Sequence, residues 1–147
     1  MKREGGVIAV DYGDRRTGLA ASDAGRVLAQ PLPTLDEIDP ARVAERIASL
    51  VAEREASTVV VGLPLLLDGT EGARVRKTRS FVGRLRAAIP PEVEIVEWDE
   101  RLTTAEAEEW LRSAGLRRER RKEKVDAMAA VLLLRSYLEA QGRRGEI

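Results

Sequence analysis

The sequence predicts an α/β protein: a mixed five-stranded sheet of three antiparallel strands followed by alternating helices and strands, with helices on both faces. Three short apolar runs, at residues 7–12, 17–22 and 26–30, are joined by tight turns, which is typical of antiparallel strands. Two later apolar runs, at residues 58–61 and 93–98, alternate with helical patterns. Such alternation favours parallel strands covered by helices, in the order β-β-β-α-β-α-β-α-α.

The first three predicted strands are defined by the turns between them. Gly13 and Gly18 bracket the first turn, and Asp23-Ala24-Gly25 makes the second. Pro31 and Pro33 follow the third apolar run, and we expect them to end that strand. This part of the chain is therefore predicted to be an antiparallel meander.

The first predicted helix begins at Asp39, which acts as the N-cap, with Pro40 at the first helical position. Its apolar residues recur at spacings of three and four, the pattern of a helix with one buried face. They are Val43, Ile47, Leu50 and Val51. The fourth strand, at residues 58–61, is apolar throughout, so we expect it to be buried on both faces. It ends at Gly62-Leu63-Pro64.

The second predicted helix is basic and spans about residues 70–88, where Pro90-Pro91 stops it. Its core candidates share one helical face. They are Val75, Phe81, Val82 and Leu85. The fifth strand follows this helix and carries Asp99-Glu100-Arg101 at its carboxyl end.

Two more helices are predicted in the last third of the chain. Residues 103–106 (Thr-Thr-Ala-Glu) form a capping box that begins a third helix, and Gly115 closes it. A charged connector at residues 116–124 then leads to a strongly apolar helix at residues 125–140. The apolar residues of this last helix predict a face that packs on the sheet.

The length of the chain predicts a single domain over residues 1–147, with frayed tails at residues 1–6 and 142–147. No apolar run approaches the roughly 20 residues that span a bilayer, and the first residues carry no signal-peptide pattern. We therefore expect a cytoplasmic protein without a membrane partner.

The chain contains no cysteine and no histidine. This excludes disulfides, thiol nucleophiles, zinc fingers, Ser-His-Asp triads and acid–base catalysis by imidazole. A metal site made from side chains would be rich in oxygen ligands, which suits Mg²⁺ or Mn²⁺.

The net charge is zero, but the charges are unevenly distributed. Residues 74–86 include six basic and no acidic side chains, and residues 112–124 include seven basic against two acidic ones. Residues 92–109 include eight acidic side chains against one basic one. Separate basic and acidic clusters are what a nucleic-acid enzyme with a metal site would show, although solvated helix faces also explain either basic cluster alone.

Carboxylates stand at three element ends. Asp11 ends the first strand, Asp99 and Glu100 end the fifth strand, and Asp126 lies in the first turn of the last helix. Because the carboxyl ends of parallel strands meet at one edge of a sheet, ligands bind there. Asp126 heads the apolar face formed by residues 129, 130, 133 and 137, which is an unusual place for an unpaired carboxylate.

Each carboxylate also has an ordinary structural explanation. Asp11 could pair with Arg15 or Arg16, and Glu100 with Arg101 or Lys124. Asp126 could simply favour the helix N-terminus, with a lysine nearby. Three such carboxylates together favour a metal site, because clustered carboxylates can hold two divalent ions that hydrolyse a phosphodiester bond.

Four blocks of sequence resemble the YqgF/RuvX family, and they occur in the family's order across nearly the whole chain. The first runs from Asp11-Tyr12-Gly13 to Arg16-Thr17-Gly18, and the second joins Val60-Val61-Gly62-Leu63-Pro64 to Asp68-Gly69-Thr70-Glu71. The third is Asp99-Glu100-Arg101-Leu102-Thr103-Thr104, and the fourth is Lys124-Val125-Asp126 followed by Ala129-Ala130. The second and third blocks are long and specific.

The resemblance implies a ribonuclease H-like fold, related to Holliday-junction resolvases of the RuvC type. It also implies a nuclease that processes the 5′ end of pre-16S ribosomal RNA. The family's acidic positions fall on Asp11, Glu100 and Asp126, as catalytic residues and metal ligands, with Asp99 as a further candidate ligand. The fourth strand ends in Gly62-Leu63-Pro64, where many ribonuclease H-like enzymes carry an acidic residue, so the second ligand would come from the fifth strand.

The candidate contacts to nucleic acid are basic residues near these carboxylates: Arg15, Arg16, Arg74, Lys77, Arg101, Lys122 and Lys124. Arg101 could equally brace Asp99. The expected substrate is a structured ribosomal RNA precursor, and the alternative is branched DNA. A resolvase usually acts as a dimer, so both a monomer and a homodimer stay open.

Two other functions are compatible with parts of the sequence. The Asp-x-Gly turn also opens the phosphate loop of sugar kinases and actin-like ATPases, but those need two such domains. A non-catalytic RNA-binding factor would explain the basic clusters but not the three carboxylates. The chain has few aromatic residues to stack on bases, which predicts recognition by backbone and shape more than by base sequence.

Overall fold

The computed structural model describes residues 5–66, 68–99 and 118–145, and in the last range it describes the side chains of residues 126–142. The five strands are β1 (Val7–Asp11), β2 (Arg16–Ser22), β3 (Ala29–Asp36), β4 (Thr58–Leu63) and β5 (Glu94–Asp99). The three helices in these ranges are α1 (Pro40–Arg54), α2 (Ala73–Ala88) and α3 (Arg118–Gly145).

The strands form one mixed sheet in the order β3-β2-β1-β4-β5. The pairs β1–β2 and β2–β3 are antiparallel, whereas β1–β4 and β4–β5 are parallel. The predicted α/β architecture is therefore confirmed. The carboxyl ends of the parallel strands β1, β4 and β5 lie at one edge of the sheet, which is the edge where ligands bind in such folds.

Helices cover both faces of the sheet, and the alternation of side chains along β1 divides the core in two. Ile8 and Val10 point to the face covered by α1 and α2, where the predicted apolar residues of both helices are buried, except that Leu50 is partly buried. Val7 and Ala9 point to the face covered by α3. The strand β4 is buried along its whole length, as predicted. Burial of each large aliphatic side chain contributes about 1.5–3 kcal/mol.

The start of α1 agrees with its sequence. Asp39 is the N-cap, its side chain accepts a hydrogen bond from the Ala41 amide, and Pro40 is the first helical residue. The helix ends at Glu55, which adopts a left-handed conformation with φ of 52°. Local capping chemistry therefore defines both ends of α1.

The prediction for the third strand was wrong. It was expected to end before Pro31, but β3 runs from Ala29 to Asp36 through both Pro31 and Pro33. The reason is that β3 is an edge strand, where proline is tolerated because the missing N–H would face away from the neighbouring strand.

The last helix is longer than predicted. The charged connector predicted at residues 116–124 is helical from Arg118 onward, and the helix continues to Gly145 through residues expected to fray. Arginine, lysine and glutamate are strong helix formers, so a charged run can extend a helix whose apolar part is anchored. The predicted helix from the capping box at residues 103–106 to Gly115 lies outside the described residues.

The beginning of the chain also differs from the expected frayed tail at residues 5 and 6. The Gly6 carbonyl accepts a hydrogen bond from the Ser57 amide, and the Gly5 carbonyl accepts one from the Arg26 guanidinium at 3.2 Å. Arg26 also donates to the hydroxyls of Ser57 and Thr58. Residues 5 and 6 are therefore held against the start of β4.

A Trp–Tyr pair attaches α3 to the β5 edge of the sheet. Trp98 packs edge-on against Tyr137, with ring centroids 5.3 Å apart and planes at 86°. The indole Nε1 donates a hydrogen bond to the Ser136 hydroxyl at 3.0 Å. Ala129, Ala130, Leu133 and Tyr137, predicted to share one face, are all buried.

No helix in the described part of the chain is long and apolar enough to cross a membrane.

The closest approach of α3 to the sheet is at Gly18 in β2. A Cβ atom built on Gly18 would lie 2.0 Å from the backbone carbonyl oxygen of Asp126. No side chain fits in this space, so the α3 backbone at Asp126 packs directly on β2. Because α3 begins at Arg118, Asp126 lies in the third turn of the helix and not in the first turn, as the sequence predicted.

We expect Gly18→Ala to destabilise the protein by about 1–3 kcal/mol, because the added methyl group forces α3 away from the sheet. The measurement is the free energy of unfolding from denaturant titration. Gly83→Ala is the matched control, since nothing lies within 4 Å of a Cβ at this position in α2. The control should gain about 0.5–1 kcal/mol from helix propensity. Equal stability of the two variants would contradict the close approach.

Candidate active site

Two of the predicted carboxylates end strands at the same edge of the sheet. Asp11 is the last residue of β1, and Asp99 is the last residue of β5. The strand β4 lies between them, so β1 and β5 are about 10 Å apart, which is two strand spacings. Leu63 of β4 pairs with Asp99, and Gly62 pairs with Trp98.

Asp11 and Asp126 come together on the α3 face of the sheet. Asp11 lies on the same face of β1 as Ala9 and Val7, which pack against α3, because every second residue of a strand shares a face. Its partner across the β1–β2 ladder is Gly18, the residue on which the Asp126 backbone rests. Paired residues in such a ladder have Cα atoms about 4.5–5.5 Å apart. The structure thus places the backbone of Asp126 against the ladder partner of Asp11, a residue 115 positions earlier in the sequence.

Asp99 belongs to the opposite face. In β5, Val96 and Trp98 pack against α3, so the alternation of the strand puts Glu97 and Asp99 on the face of α1 and α2. Glu97 confirms this direction, because its carboxylate lies 3.6 Å from the Arg79 guanidinium of α2. Asp99 is at the predicted edge, but strand geometry directs it away from Asp11.

Asp126 is a half-buried carboxylate beside the guanidinium group of Arg16. Its Oδ2 lies 3.6 Å from the Nε of Arg16, and 28% of its side chain is exposed. Burial raises the pKa of the Asp126 carboxyl above its ordinary value, and the Arg16 guanidinium partly offsets this. Arg16, predicted to contact nucleic acid, therefore neighbours Asp126 directly.

Arg74 and Lys77, also predicted to contact nucleic acid, meet the turn that follows β1. Arg74 lies 3.0 Å from the Asp14 carboxylate and donates a hydrogen bond to the Tyr12 carbonyl at 3.2 Å. Lys77 lies 3.5 Å from Asp14. Arg15, in the same turn, is exposed. Arg74 and Lys77 therefore lie on the face of the sheet that α2 covers, whereas Asp126 lies on the opposite face.

Sequence reasoning did not identify Asp14 or Gly18 as parts of this region. Asp14 gathers two cations of α2, and Gly18 admits the Asp126 backbone. The sequence feature that could have pointed to them is their position in the first motif block, where Gly18 follows Thr17, which is buried. Nothing in local sequence shows that a glycine 108 residues before Asp126 will touch it.

Several predicted site residues lie outside the described part of the chain. Glu100 and Arg101 are outside the described residues, as are the side chains of Lys122 and Lys124. Among the described side chains, those of residues 5–66, 68–99 and 126–142, no group of three or more acidic residues is placed to hold a metal ion. Of the predicted acidic site residues, Asp11, Asp99 and Asp126 lie in the described part of the chain.

Comparison with known proteins identifies the family of this chain. Residues 5–140 match the family model described as "RuvX: Holliday junction resolvase". The chain belongs to the RuvX family. A relative from Halalkalibacterium halodurans is 44% identical over 136 residues, which cover 91% of this chain and 96% of the relative. One from Acetivibrio thermocellus is 41% identical, with 93% and 97% covered. Both are named "Putative pre-16S rRNA nuclease".

Solved structures show the same fold at low identity. RuvC from Thermus thermophilus aligns with a TM-score of 0.54 at 18% identity, over 93% of this chain and 96% of that one. Fowlpox virus resolvase, solved with Holliday-junction DNA, aligns with a TM-score of 0.57 at 9% identity, over 92% and 98%. The predicted ribonuclease H-like fold is confirmed. Family membership also confirms the prediction of a nuclease, whose substrate is a nucleic acid.

We expect Asp126→Asn to raise the melting temperature of the metal-free protein at neutral pH. The native pKa is raised, so the native state holds its proton more strongly than the unfolded state. The free energy of unfolding therefore falls as the pH rises from the pKa of the unfolded state, about 3.9, through the native pKa. Above the native pKa the whole loss of stability is present. The lost ion pair with Arg16 is partly exposed and contributes little.

The measurement is thermal unfolding in EDTA at several pH values. The higher melting temperature of Asp126→Asn should be present at neutral pH. It should disappear in acid, where Asp126 is protonated in both the native and the unfolded wild type. A variant that is less stable than the wild type at neutral pH would contradict the desolvated carboxylate.

We expect Arg16→Gln to raise the pKa of Asp126 further, because the neighbouring positive charge that stabilises the carboxylate is removed. The measurement is a carbon-13 NMR titration of the Asp126 carboxyl group without metal or nucleic acid. Arg15→Gln is the matched control, since it removes the same charge from an exposed neighbour in the same turn. An unchanged pKa in Arg16→Gln would exclude Arg16 as the electrostatic partner.

Proposed function

We propose that this protein is a divalent-metal-dependent nuclease that acts on the 5′ end of pre-16S ribosomal RNA, with Asp11 and Asp126 at its active site. The observation that carries this proposal is the packing of the Asp126 backbone on Gly18, the ladder partner of Asp11. This contact supports the proposal because it sets Asp126 beside the end of β1, the strand that Asp11 ends.

The residues present fit a hard divalent cation. With no histidine or cysteine in the chain, every available side-chain ligand is an oxygen, which suits Mg²⁺ or Mn²⁺. The half-buried Asp126 is destabilised as an anion by its surroundings, and a bound cation would relieve this. Divalent ions held by carboxylates activate water and stabilise the leaving oxygen in phosphodiester hydrolysis.

We assign Asp11 and Asp126 as ligands from the α3 face, and Glu100 as the ligand that follows β5. Residues alternate across a strand, so Asp99 faces α2, and we assign it a lesser role as a ligand than its neighbour. The Arg16 guanidinium balances the charge of Asp126 and can also approach a substrate phosphate.

The basic side chains would hold the phosphate backbone around this edge. Arg15 is exposed in the turn after β1, and Arg74 and Lys77 approach the same turn from α2. We propose the same role for Arg101, Lys122 and Lys124. Such contacts position a strand without reading its bases.

The choice of ribosomal RNA precursor is supported by the names of the relatives, which cover nearly the whole chain. Among the aromatic residues that the structure describes, Phe81 and Tyr137 are buried and so cannot stack on bases. This supports recognition of structured RNA by shape and backbone.

Branched DNA is the second candidate substrate, because the matching family model is described as a Holliday junction resolvase. A resolvase that cuts symmetrically needs two active sites, so this alternative requires a homodimer. A monomer in solution would favour the RNA substrate. The expected cytoplasmic location stays a prediction.

The test is cleavage of a 5′-extended 16S precursor fragment and of a four-way DNA junction, with Mn²⁺ or with EDTA. We expect metal-dependent cutting of the RNA that Asp11→Asn and Asp126→Asn each reduce by at least about a hundredfold, because each removes a charged ligand. Asp23→Asn is the matched control, since Asp23 lies in the turn after β2, at the opposite end of the β1–β2 pair from Asp11, and an amide oxygen can still accept the hydrogen bonds from Val27 and Leu28.

Junction cutting without RNA cutting would transfer the proposal to the resolvase. Tight RNA binding without cutting of either substrate, by a folded protein, would favour a binding factor. Cutting that persists in both aspartate variants would refute the assigned site.

A further inference from the structure

A cleft of about 280 Å³ opens between the start of α1 and the middle of α2, beside the end of β1. Its two walls differ in chemistry. One wall is largely apolar and consists of Tyr12, Ile38, Pro40 and Phe81. The other is polar and consists of Asp14, Lys77, Ser80 and Arg84. The assigned carboxylates Asp11 and Asp126 do not line it.

The apolar wall presents a rigid surface to the cleft. The Tyr12 ring stacks on Phe81, with centroids 4.0 Å apart and an angle of 7° between the planes. Phe81 is buried beneath, whereas Ile38 is 71% exposed at the rim. An aromatic ring backed by a second ring, with an exposed aliphatic side chain nearby, suits a flat apolar group such as a nucleobase.

The polar wall carries excess positive charge. Lys77, Ser80 and Arg84 recur at spacings of three and four, so they share one face of α2. The single acid of the wall, Asp14, is shared between two cations, since it lies 3.0 Å from Arg74 and 3.5 Å from Lys77. Arg84 makes no ion pair with any residue that the structure describes. Two cations and a hydroxyl donor on one helix face suit a phosphate group.

We propose that this cleft binds one nucleotide unit of the substrate strand, with its phosphate on Lys77 and Arg84 and its base against Tyr12 and Ile38. The proposal rests on the proposed nuclease function for the identity of the strand. Tyr12 directly follows Asp11, so a strand that leaves the carboxylate pair over the end of β1 reaches the cleft next. Lys77 and Arg84 are thus positioning residues.

A strand explains this site better than a free nucleotide does. The cations of the cleft are exposed, and an exposed ion pair in water contributes little on its own. A nucleotide that is already tethered through the strand binds at a high effective concentration, so a weak local contact becomes useful. The cleft would therefore hold the strand in register rather than bind a separate ligand.

The test is equilibrium binding of a labelled single-stranded RNA oligonucleotide, measured by fluorescence anisotropy in EDTA over a range of salt concentrations. We expect the double variant Lys77→Gln/Arg84→Gln to bind about tenfold more weakly than the wild type. The slope of log affinity against log salt should fall by about 0.7 for each phosphate that the variant no longer neutralises. Arg86→Gln is the matched control, because Arg86 is an exposed cation of α2 outside the cleft.

A second variant tests the apolar wall. Ile38→Ser changes an exposed side chain, so it should fold normally, and it should weaken binding several-fold without changing the salt slope. Binding by the double variant that coincides with Arg86→Gln would overturn the proposal. So would the absence of strand binding by the wild type, or equal affinity for adenosine monophosphate and for the oligonucleotide.

The same variants separate this proposal from the nuclease function. Because binding is measured in EDTA, weaker binding by the double variant supports the cleft even if no variant cuts RNA. Metal-dependent cutting by the wild type, with unchanged binding by the double variant, supports the nuclease and overturns the cleft.

Discussion

The close approach of α3 to the β1–β2 pair is the contact on which the candidate site depends. Gly18 has no side chain, and the backbone of Asp126 occupies the space that one would fill. Small residues continue this contact, since Ala9, Ala20 and Ala130 are buried between the helix and the sheet. Because these side chains are short, the helix can lie low on the sheet and carry Asp126 to the end of β1.

The same contact explains why a carboxylate can be kept in a half-buried place. A charge in such surroundings is costly, which is reflected in the raised pKa of Asp126. The wide apolar contact of α3, through Leu133, Leu134 and Tyr137, supplies the stability that compensates for it. Residues that are unfavourable for folding and yet supported by a large core are typical of functional sites.

The sheet edge separates two chemical environments. Asp11 and Asp126 lie on the α3 side, whereas the cations of α2 gather around Asp14 on the other side. The turn after β1 joins the two environments over a few residues. This separation keeps Arg74 and Lys77 away from Asp126, whose cationic neighbour is Arg16.

Much of the fold follows from local sequence. The cap at Asp39, the apolar stripes of α1 and α2, and the buried β4 are set by side-chain chemistry over a few residues, so they were predicted correctly. The path of β3 through Pro31 was not, because a proline is tolerated only where a strand has no second neighbour. The helical start of α3 was also missed, since a charged run is compatible with both a connector and a helix.

The sequence by itself determined the chemistry available to this protein: oxygen ligands without histidine or cysteine, three acidic positions, and basic clusters apart from them. Only the tertiary structure decided that Asp126 packs on Gly18 beside the end of β1, that Asp99 faces α2, and that Tyr12 and Arg84 share a cleft. The physical reason is that these relations depend on strand register and on how closely helices dock. Both are set by contacts between residues far apart in the chain.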